Sequence, residues 1–196
     1  MGCASSAIPN CDTLEILSKN GGKESKIDIV SYSYFPAYGR GSKLGFMLDK
    51  ANHPFEFKPI SFPAWLLGGQ KKVYGGLPFA VRSDGSVMKE TDPIGRYICR
   101  FCNLYPTVPI DCYWNDYIIQ WYQKFFNEVH LSLLTFGAES KKARAASLAT
   151  VLPEWLEKMK KFYKEGWVVG DGSKFYMADF YIGTIWTDIL NNPGSW

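Results

Sequence analysis

At 196 residues the chain is long enough for one ordinary domain or two small ones, and 46% hydrophobic against 21% charged residues excludes global disorder. Lys and Arg total 22 against 19 acidic residues, a net charge of +3 that is too mild to point to nucleic acid as a partner. No apolar run reaches the ~18–20 residues a membrane helix needs, and five cysteines, an odd number without a disulfide framework, fit a reducing compartment.

Residues 1–26 read as a flexible tail. Its first six residues, Met1-Gly2-Cys3-Ala4-Ser5-Ser6, match an acylation signal, with Gly2 as the myristate acceptor. One acyl chain holds a protein to a membrane only marginally, and Cys3 offers the second signal, palmitate. The expectation is a cytoplasmic protein at the cytoplasmic face of a membrane. Globular patterning starts near Ile27. Ile27 to Tyr34 alternates as a strand, and Pro36 and Gly39 break it. Leu44, Met47, Leu48 and Ala51 then recur at helical spacing up to His53-Pro54. Phe55 to Ile60 is a second strand with Pro59 at its edge or end, and 61–76 is a Gly-rich excursion. Phe79–Arg82 and Val87–Lys89 flank Ser83-Asp84-Gly85-Ser86 as a hairpin. Thr91 is placed to cap a helix with Asp92 and Pro93 in its first turn and Ile94, Tyr97, Ile98 and Phe101 as its stripe.

Beyond Pro109 the pattern is helical throughout. Trp114, Tyr117, Ile118, Trp121, Phe125 and Val129 read as one face of a long helix. A second helix is expected over 139–165, kinked or divided at Pro153, and a third over 177–190, stopped by Asn191-Asn192-Pro193-Gly194. The division that follows is 1–26 tail, 27–103 α/β domain and 104–196 helical domain.

Few single motifs carry chemistry. Cys99-Arg100-Phe101-Cys102 lacks the further ligands a zinc site needs and lies within a helix, so it reads as ordinary thiols and no metal is expected. His53 and His130 are isolated, and the lysines at 158, 160, 161 and 164 read as a solvated face. Leu77-Pro78 opens the third strand, where a cis bond would present the neighbouring backbone to a ligand. Glu90-Thr91 supplies a carboxylate, a hydroxyl and helix-start N–H groups, which suit the amine and carboxylate of an amino-acid end.

Together these segments resemble the glutathione S-transferase family, and most resemble its Tyr-type, sigma-like class, which includes prostaglandin D synthases. Tyr34-Phe35-Pro36-Ala37-Tyr38-Gly39-Arg40-Gly41 is similar to the family's first strand end, with a catalytic Tyr and, six residues later, an Arg opening helix one. Trp65 lies 13 residues before Pro78, as the class's glutathione-site Trp does before its cis-Pro. Tyr74-Gly75-Gly76-Leu77-Pro78 resembles the segment whose Leu backbone pairs with the cysteinyl part of glutathione. Glu90-Thr91 stands where the family grips the γ-glutamyl end, and Met177-Ala178-Asp179-Phe180-Tyr181 resembles the start of its buried helix. The resemblance covers roughly 27–190. It implies a thioredoxin-like α/β N-terminal domain followed by an all-α helical domain.

The implied activity is transfer or addition of glutathione, as co-substrate, to an apolar electrophile. Tyr34 is the implied thiol activator, with Arg40, Trp65, Leu77, Pro78, Glu90 and Thr91 positioning the tripeptide. A thiol of pKa ~8.5 is mostly protonated at neutral pH, and lowering it by ~2 units takes about 2.7 kcal/mol, within reach of one donated hydroxyl assisted by the local field. Tyr32, Ser33 and Tyr38 remain rival donors. Four features depart from the family pattern. Gly69 and Gly76 replace basic or amide contacts (with Gln70, Lys71 or Lys72 as compensators), and Gln123 or Lys124 stands where an Asp reaches across a dimer. Tyr176 replaces a Ser/Thr cap, leaving a helix start without its reciprocal bonds, and the helical domain is expected to be short at its C-terminus. The missing basic contacts and the short C-terminus favour the alternative of a catalytically weak structural or adaptor subunit in a membrane-associated or larger assembly, and the homodimer that the resemblance implies is weakened by Gln123 and Lys124.

Overall fold

The computed structural model describes residues 26–69, 76–131, 138–163, 166–185 and 187. Gly2, Cys3, Gln70, Lys71, Lys72, Tyr74, Lys164 and the end of the expected third helix lie outside the described residues, as does its stop signal. The chain separates into two compact units between Cys102 and Asn103.

The first unit is a four-stranded mixed sheet in the order β2-β1-β3-β4, with helices α1 and α3 packed on each other. Strand β1 (Ile29–Tyr34) is central; only Val30 among its side chains is exposed, so the strand is covered on both faces. Helix α1 (Ser42–Lys50) buries Leu44, Met47 and Leu48 completely. It ends because Asn52 adopts φ 51°, the left-handed conformation that stops helices, and His53 Nε2 donates to the Ile29 carbonyl at 2.7 Å. Strand β2 (Glu56–Pro59) pairs in parallel with β1 as an exposed edge, and Pro59 is its last residue. A short helix α2 (Phe62–Ala64) leads into a π-helical turn, Trp65–Gly69. Strands β3 (Phe79–Arg82) and β4 (Val87–Lys89) form the expected hairpin, whose turn is held by Asp84 Oδ1 accepting from the Ser86 N–H at 2.9 Å, with Gly85 at φ 83°.

Helix α3 (Thr91–Phe101) corrects one expectation. Thr91 is its first helical residue and not its cap; Glu90 holds the cap position without a side-chain bond, and the Glu90 carbonyl receives the Ile94 N–H at 3.1 Å. The stripe Ile94 and Ile98 is fully buried, as is the Cys99 thiol, whose pKa is pushed up by burial and then by neighbouring Cys102. Cys102 donates its S–H to the Ile98 carbonyl at 3.2 Å, so the pair behaves as structural thiols. Asn103, at φ 57°, follows the helix end.

The second unit contains α4 (Pro109–Leu131), α5 (Ala138–Met159) and α6 (Met177–Ile185), with α5 and α6 each packed on α4. One sequence expectation is corrected here. The buried face of α4 is Asn115, Ile118, Ile119, Tyr122, Phe125, Phe126 and Val129, while Trp114 and Tyr117 are 36% and 37% exposed. Buried Asn115 explains the rotation: its Oδ1 accepts the Ala178 N–H at the start of α6 at 2.9 Å, and Tyr122 meets Tyr181 edge-on. Pro153 lies inside α5 without dividing it. The start of α6 is better satisfied than its sequence implied. Asp179 accepts from the N–H groups of Tyr176 (2.8 Å) and Val168 (3.1 Å), so one arm of a capping box survives without a Ser/Thr at 176.

The strongest ionic contact of the sheet lies where β1 begins. Asp28 takes two bonds from Arg82, at 2.8 and 3.0 Å, and one from the Tyr97 hydroxyl at 2.6 Å, tying β1, β3 and α3 together. Burial raises its carboxyl pKa, but the Arg82 and Tyr97 bonds outweigh this and hold it below its ordinary 3.8. A carboxyl depressed in the folded state contributes stability above its unfolded pKa and loses it as pH falls through the folded value. Asp28→Asn is expected to lower the melting temperature by roughly 4–8 °C at pH 7, for the loss of about 2 kcal/mol of charge-assisted bonding. In thermal melts the gap to the native protein should stay constant from pH 7 to pH 5 and close as the pH falls below about 4. Equal melting temperatures at pH 7 would remove this clamp from the account.

Candidate functional site

The candidate residues of the first unit gather at one end of the sheet because of strand direction alone. Strand β1 ends at Tyr34, and parallel β2 ends beside it, with Tyr34 opposite Pro59. Antiparallel β3 begins there, with Ser33 opposite Phe79, immediately after a cis Leu77–Pro78 bond. Strand β4 returns to the same end, with Lys89 opposite Phe79, so Glu90 and Thr91 follow at that edge. Tyr34, Leu77, Pro78, Glu90 and Thr91 therefore share one rim.

Tyr34 is 7% exposed, and its hydroxyl oxygen accepts the Arg40 backbone N–H at 3.1 Å. Arg40 thus reaches Tyr34 through its main chain. The ring fits only because the loop beside it is stripped of side chains. A Cβ on Gly41 would lie 2.2 Å from the Tyr34 Cγ, and one on Gly39, at φ 155°, would lie 2.8 Å from the hydroxyl. The rival donors separate clearly. Tyr32 is boxed in by Phe55 and Phe57 at ring distances of 5.5 and 5.0 Å, and burial, then the Asp49 charge, pushes its hydroxyl up to about 12. Ser33 is buried within the sheet, and Tyr38 is exposed.

Trp65 joins the rim through aromatic packing. Phe35 meets Phe62 at 5.7 Å and Trp65 edge-on at 6.2 Å, while Ser61 caps the short helix by accepting the Ala64 N–H at 3.3 Å. Trp65 and Leu77 both pack on the small core of Ile60 and Phe79. Glu90 is held at φ 69° and ψ 124°, a conformation non-glycine residues rarely adopt, and such outliers cluster at ligand sites. Gly76, where the sequence lacks an expected basic contact, sits at φ 106° and so suits a residue without Cβ.

Two contributors were not singled out from sequence. Ser42 Oγ donates to the Gly39 carbonyl at 2.6 Å, and Lys43, 1% exposed, directs its Nζ to the same oxygen at 3.2 Å. The available signal was position: Lys43 precedes Met47 by four residues, on the side of α1 that is buried.

With this geometry established, solved structures supply the comparison. No family model matches the chain, and no curated protein matches it. A prostaglandin synthase D of Nilaparvata lugens superposes with a TM-score of 0.68 at 23% identity, over 82% of this chain and 84% of that one. A glutathione S-transferase of Caenorhabditis elegans gives 0.71 at 18% identity, over 84% and 83%. A glutathione S-transferase of the hookworm Necator americanus, described as monomeric, gives 0.68 at 19% identity, over 82% and 80%. The chain has the glutathione S-transferase fold. Its first unit is the thioredoxin-like half of that fold and its second the helical half. Among the described residues no helix is long and apolar enough to cross a membrane, and no cluster of His, Cys, Asp and Glu is placed to hold a metal ion.

The packing of Tyr34 on Gly41 yields a direct test. Gly41→Ala is expected to displace the ring and break the hydroxyl's bond to Arg40. An overturned fit would show as an unchanged Tyr34 ring signal in aromatic NMR spectra of the variant.

Proposed function

We propose that the protein binds glutathione at this rim and activates its thiol with the Tyr34 hydroxyl, for attack on an apolar electrophile. The observation that carries the reading is the register that sets Tyr34, at the end of β1, beside the Leu77-Pro78 segment that opens β3, with the Tyr34 hydroxyl held by the Arg40 N–H. The Tyr34 oxygen accepts the Arg40 N–H, and a phenol that accepts one bond can also donate through its O–H, here to the glutathione sulfur. Donation to sulfur favours the thiolate over the thiol. The Leu77 backbone would pair with the cysteinyl peptide, Trp65 would wall the tripeptide, and Glu90 with the N-terminus of α3 would hold the γ-glutamyl amine and carboxylate. Arg40 adds positive charge at the same loop.

A hydrogen bond to a charged acceptor contributes about 1.5–3 kcal/mol, or about 10- to 100-fold in rate. Tyr34→Phe is therefore expected to lower kcat/KM for chloronitrobenzene conjugation about 10- to 100-fold at neutral pH while retaining glutathione binding in calorimetry. In that reaction the thiolate forms the C–S bond, chloride leaves, and the thiol proton passes to solvent. Gly76, in place of a basic glutathione contact, favours the alternative of an adaptor subunit without catalysis. Absence of glutathione binding would decide for it.

The proposal extends to the tail, outside the described residues. Myristate on Gly2 and palmitate on Cys3 would hold the protein at the cytoplasmic face of a membrane. Gly2→Ala should then move the protein to the soluble fraction, and unchanged partitioning would refute the anchor.

A further inference from the structure

The Gly39–Arg40 peptide group is bonded at both ends. Its N–H donates to the Tyr34 hydroxyl oxygen at 3.1 Å, and its carbonyl accepts from Ser42 Oγ at 2.6 Å and Lys43 Nζ at 3.2 Å. A trans peptide directs its N–H and C=O to opposite sides, so Tyr34 and Lys43 flank this one group from either side. Hydrogen bonds in series polarise one another, most when one end is ionised and water is excluded. Lys43 is 1% exposed, so its Nζ meets that carbonyl away from solvent, where a charge on it would be little screened.

We propose that Lys43 is a positioning residue for thiol activation, acting through the Gly39–Arg40 peptide to strengthen the N–H bond to Tyr34 and make the Tyr34 hydroxyl a stronger donor. This rests on the reading of Tyr34 as thiol activator, but the polarisation itself exists without any substrate. Ser42 works on the same carbonyl without charge, which makes the two residues separable. Other charges on the segments around Tyr34 are arranged differently. Glu56 and Lys58 on β2 pair with each other at 3.2 Å, Asp49 acts on Tyr32 further along α1, and Arg40 belongs to the loop itself. Arg82 on β3 is held by Asp28 at the opposite end of the strand, Lys89 and Glu90 stand at the end of β4, and Asp92, Arg96 and Arg100 belong to α3, which packs on α1.

The test is the titration of one phenol in the full-length protein. Ultraviolet difference spectra against pH, with Tyr34→Phe in the same background subtracted, isolate Tyr34 from the other tyrosines. In Lys43→Met the midpoint of Tyr34 should rise by about half to one pH unit, the size expected for a unit charge acting through one intervening peptide. Lys43→Arg should restore it. Ser42→Ala, which leaves the charge in place, should shift it in the same direction by less, and serves if Lys43→Met fails to fold. The pH profile of kcat/KM for glutathione conjugation should move upward in parallel in Lys43→Met. A folded Lys43→Met with an unchanged Tyr34 midpoint overturns the proposal, as does a rate loss that is uniform across pH. A shifted midpoint in a protein that neither binds nor conjugates glutathione would sink the transferase reading and leave the Lys43 coupling standing.

Discussion

The pairing of β1 with β3 is the constraint on which the candidate site depends. With Ser33 opposite Phe79, the last residue of β1 comes level with the peptide bond that opens β3. A slip of one residue would turn every side chain of β1 to the other face and carry the Tyr34 hydroxyl away from the rim. The register is fixed at the far end, where Ile29 pairs with Arg82 and the Asp28 carboxylate grips the same arginine at 2.8 Å. A charge-assisted bidentate contact thus sets, one strand length away, where a phenol stands. The irregularity between Ile29 and Ser31 sits next to that clamp and not next to the site.

Two tyrosines of β1 show how position, and not residue type, decides chemistry. Tyr32 and Tyr34 are two apart and so share a face of the sheet, and each lies against a glycine, Gly45 for Tyr32 and Gly41 for Tyr34. These glycines are four apart, one helical turn, which matches the spacing of the two rings. The Tyr32 hydroxyl ends against Gly45, among Phe55 and Phe57, where ionisation is penalised by burial. The Tyr34 hydroxyl ends at a loop whose backbone N–H faces it. An anion is disfavoured at the first position, whereas the second hydroxyl meets a backbone donor.

Much of the architecture was legible from pattern because local rules and tertiary packing agree there. Helix α1 and the stripe of α3 follow a period that their burial repeats, the 79–89 hairpin follows its turn signal, and β1 forms as a strand although both of its faces are covered. The readings that failed did so where one polar bond outweighed a hydrophobic pattern. The aromatic stripe of α4 pointed to Trp114 and Tyr117, yet the face that packs on α6 is the one carrying Asn115, since a buried backbone N–H at Ala178 needs its carbonyl oxygen. Thr91 has a good capping side chain, but Glu90 occupies the cap because the chain turns sharply out of β4 one residue earlier. Lys43 was invisible for a related reason. A lysine on a buried face contradicts binary patterning, and its bond to the Gly39 carbonyl is visible only in the structure.

Strain and stabilisation are divided between the two ends of the sheet. Glu90, at φ 69°, stores on the order of 1–3 kcal/mol in its backbone, and such a conformation persists only where its neighbours over-determine it. Its neighbours do so from both sides. Lys89 is paired to Phe79 before it, and α3, beginning directly after it, is held on β1 by the Tyr97 bond to Asp28 and buried along Ile94 and Ile98. Relaxing Glu90 would require moving a helix whose hydroxyl anchor sits nearly two turns along. One of these contacts, Lys89 with Phe79, lies at the rim and the other, Tyr97 with Asp28, lies remote from it, so Glu90 and the start of α3 are shaped by the scaffold itself. Pre-organisation of that kind lowers the ordering cost of binding a small zwitterionic molecule, which is the demand a tripeptide's amino-acid end places on a site.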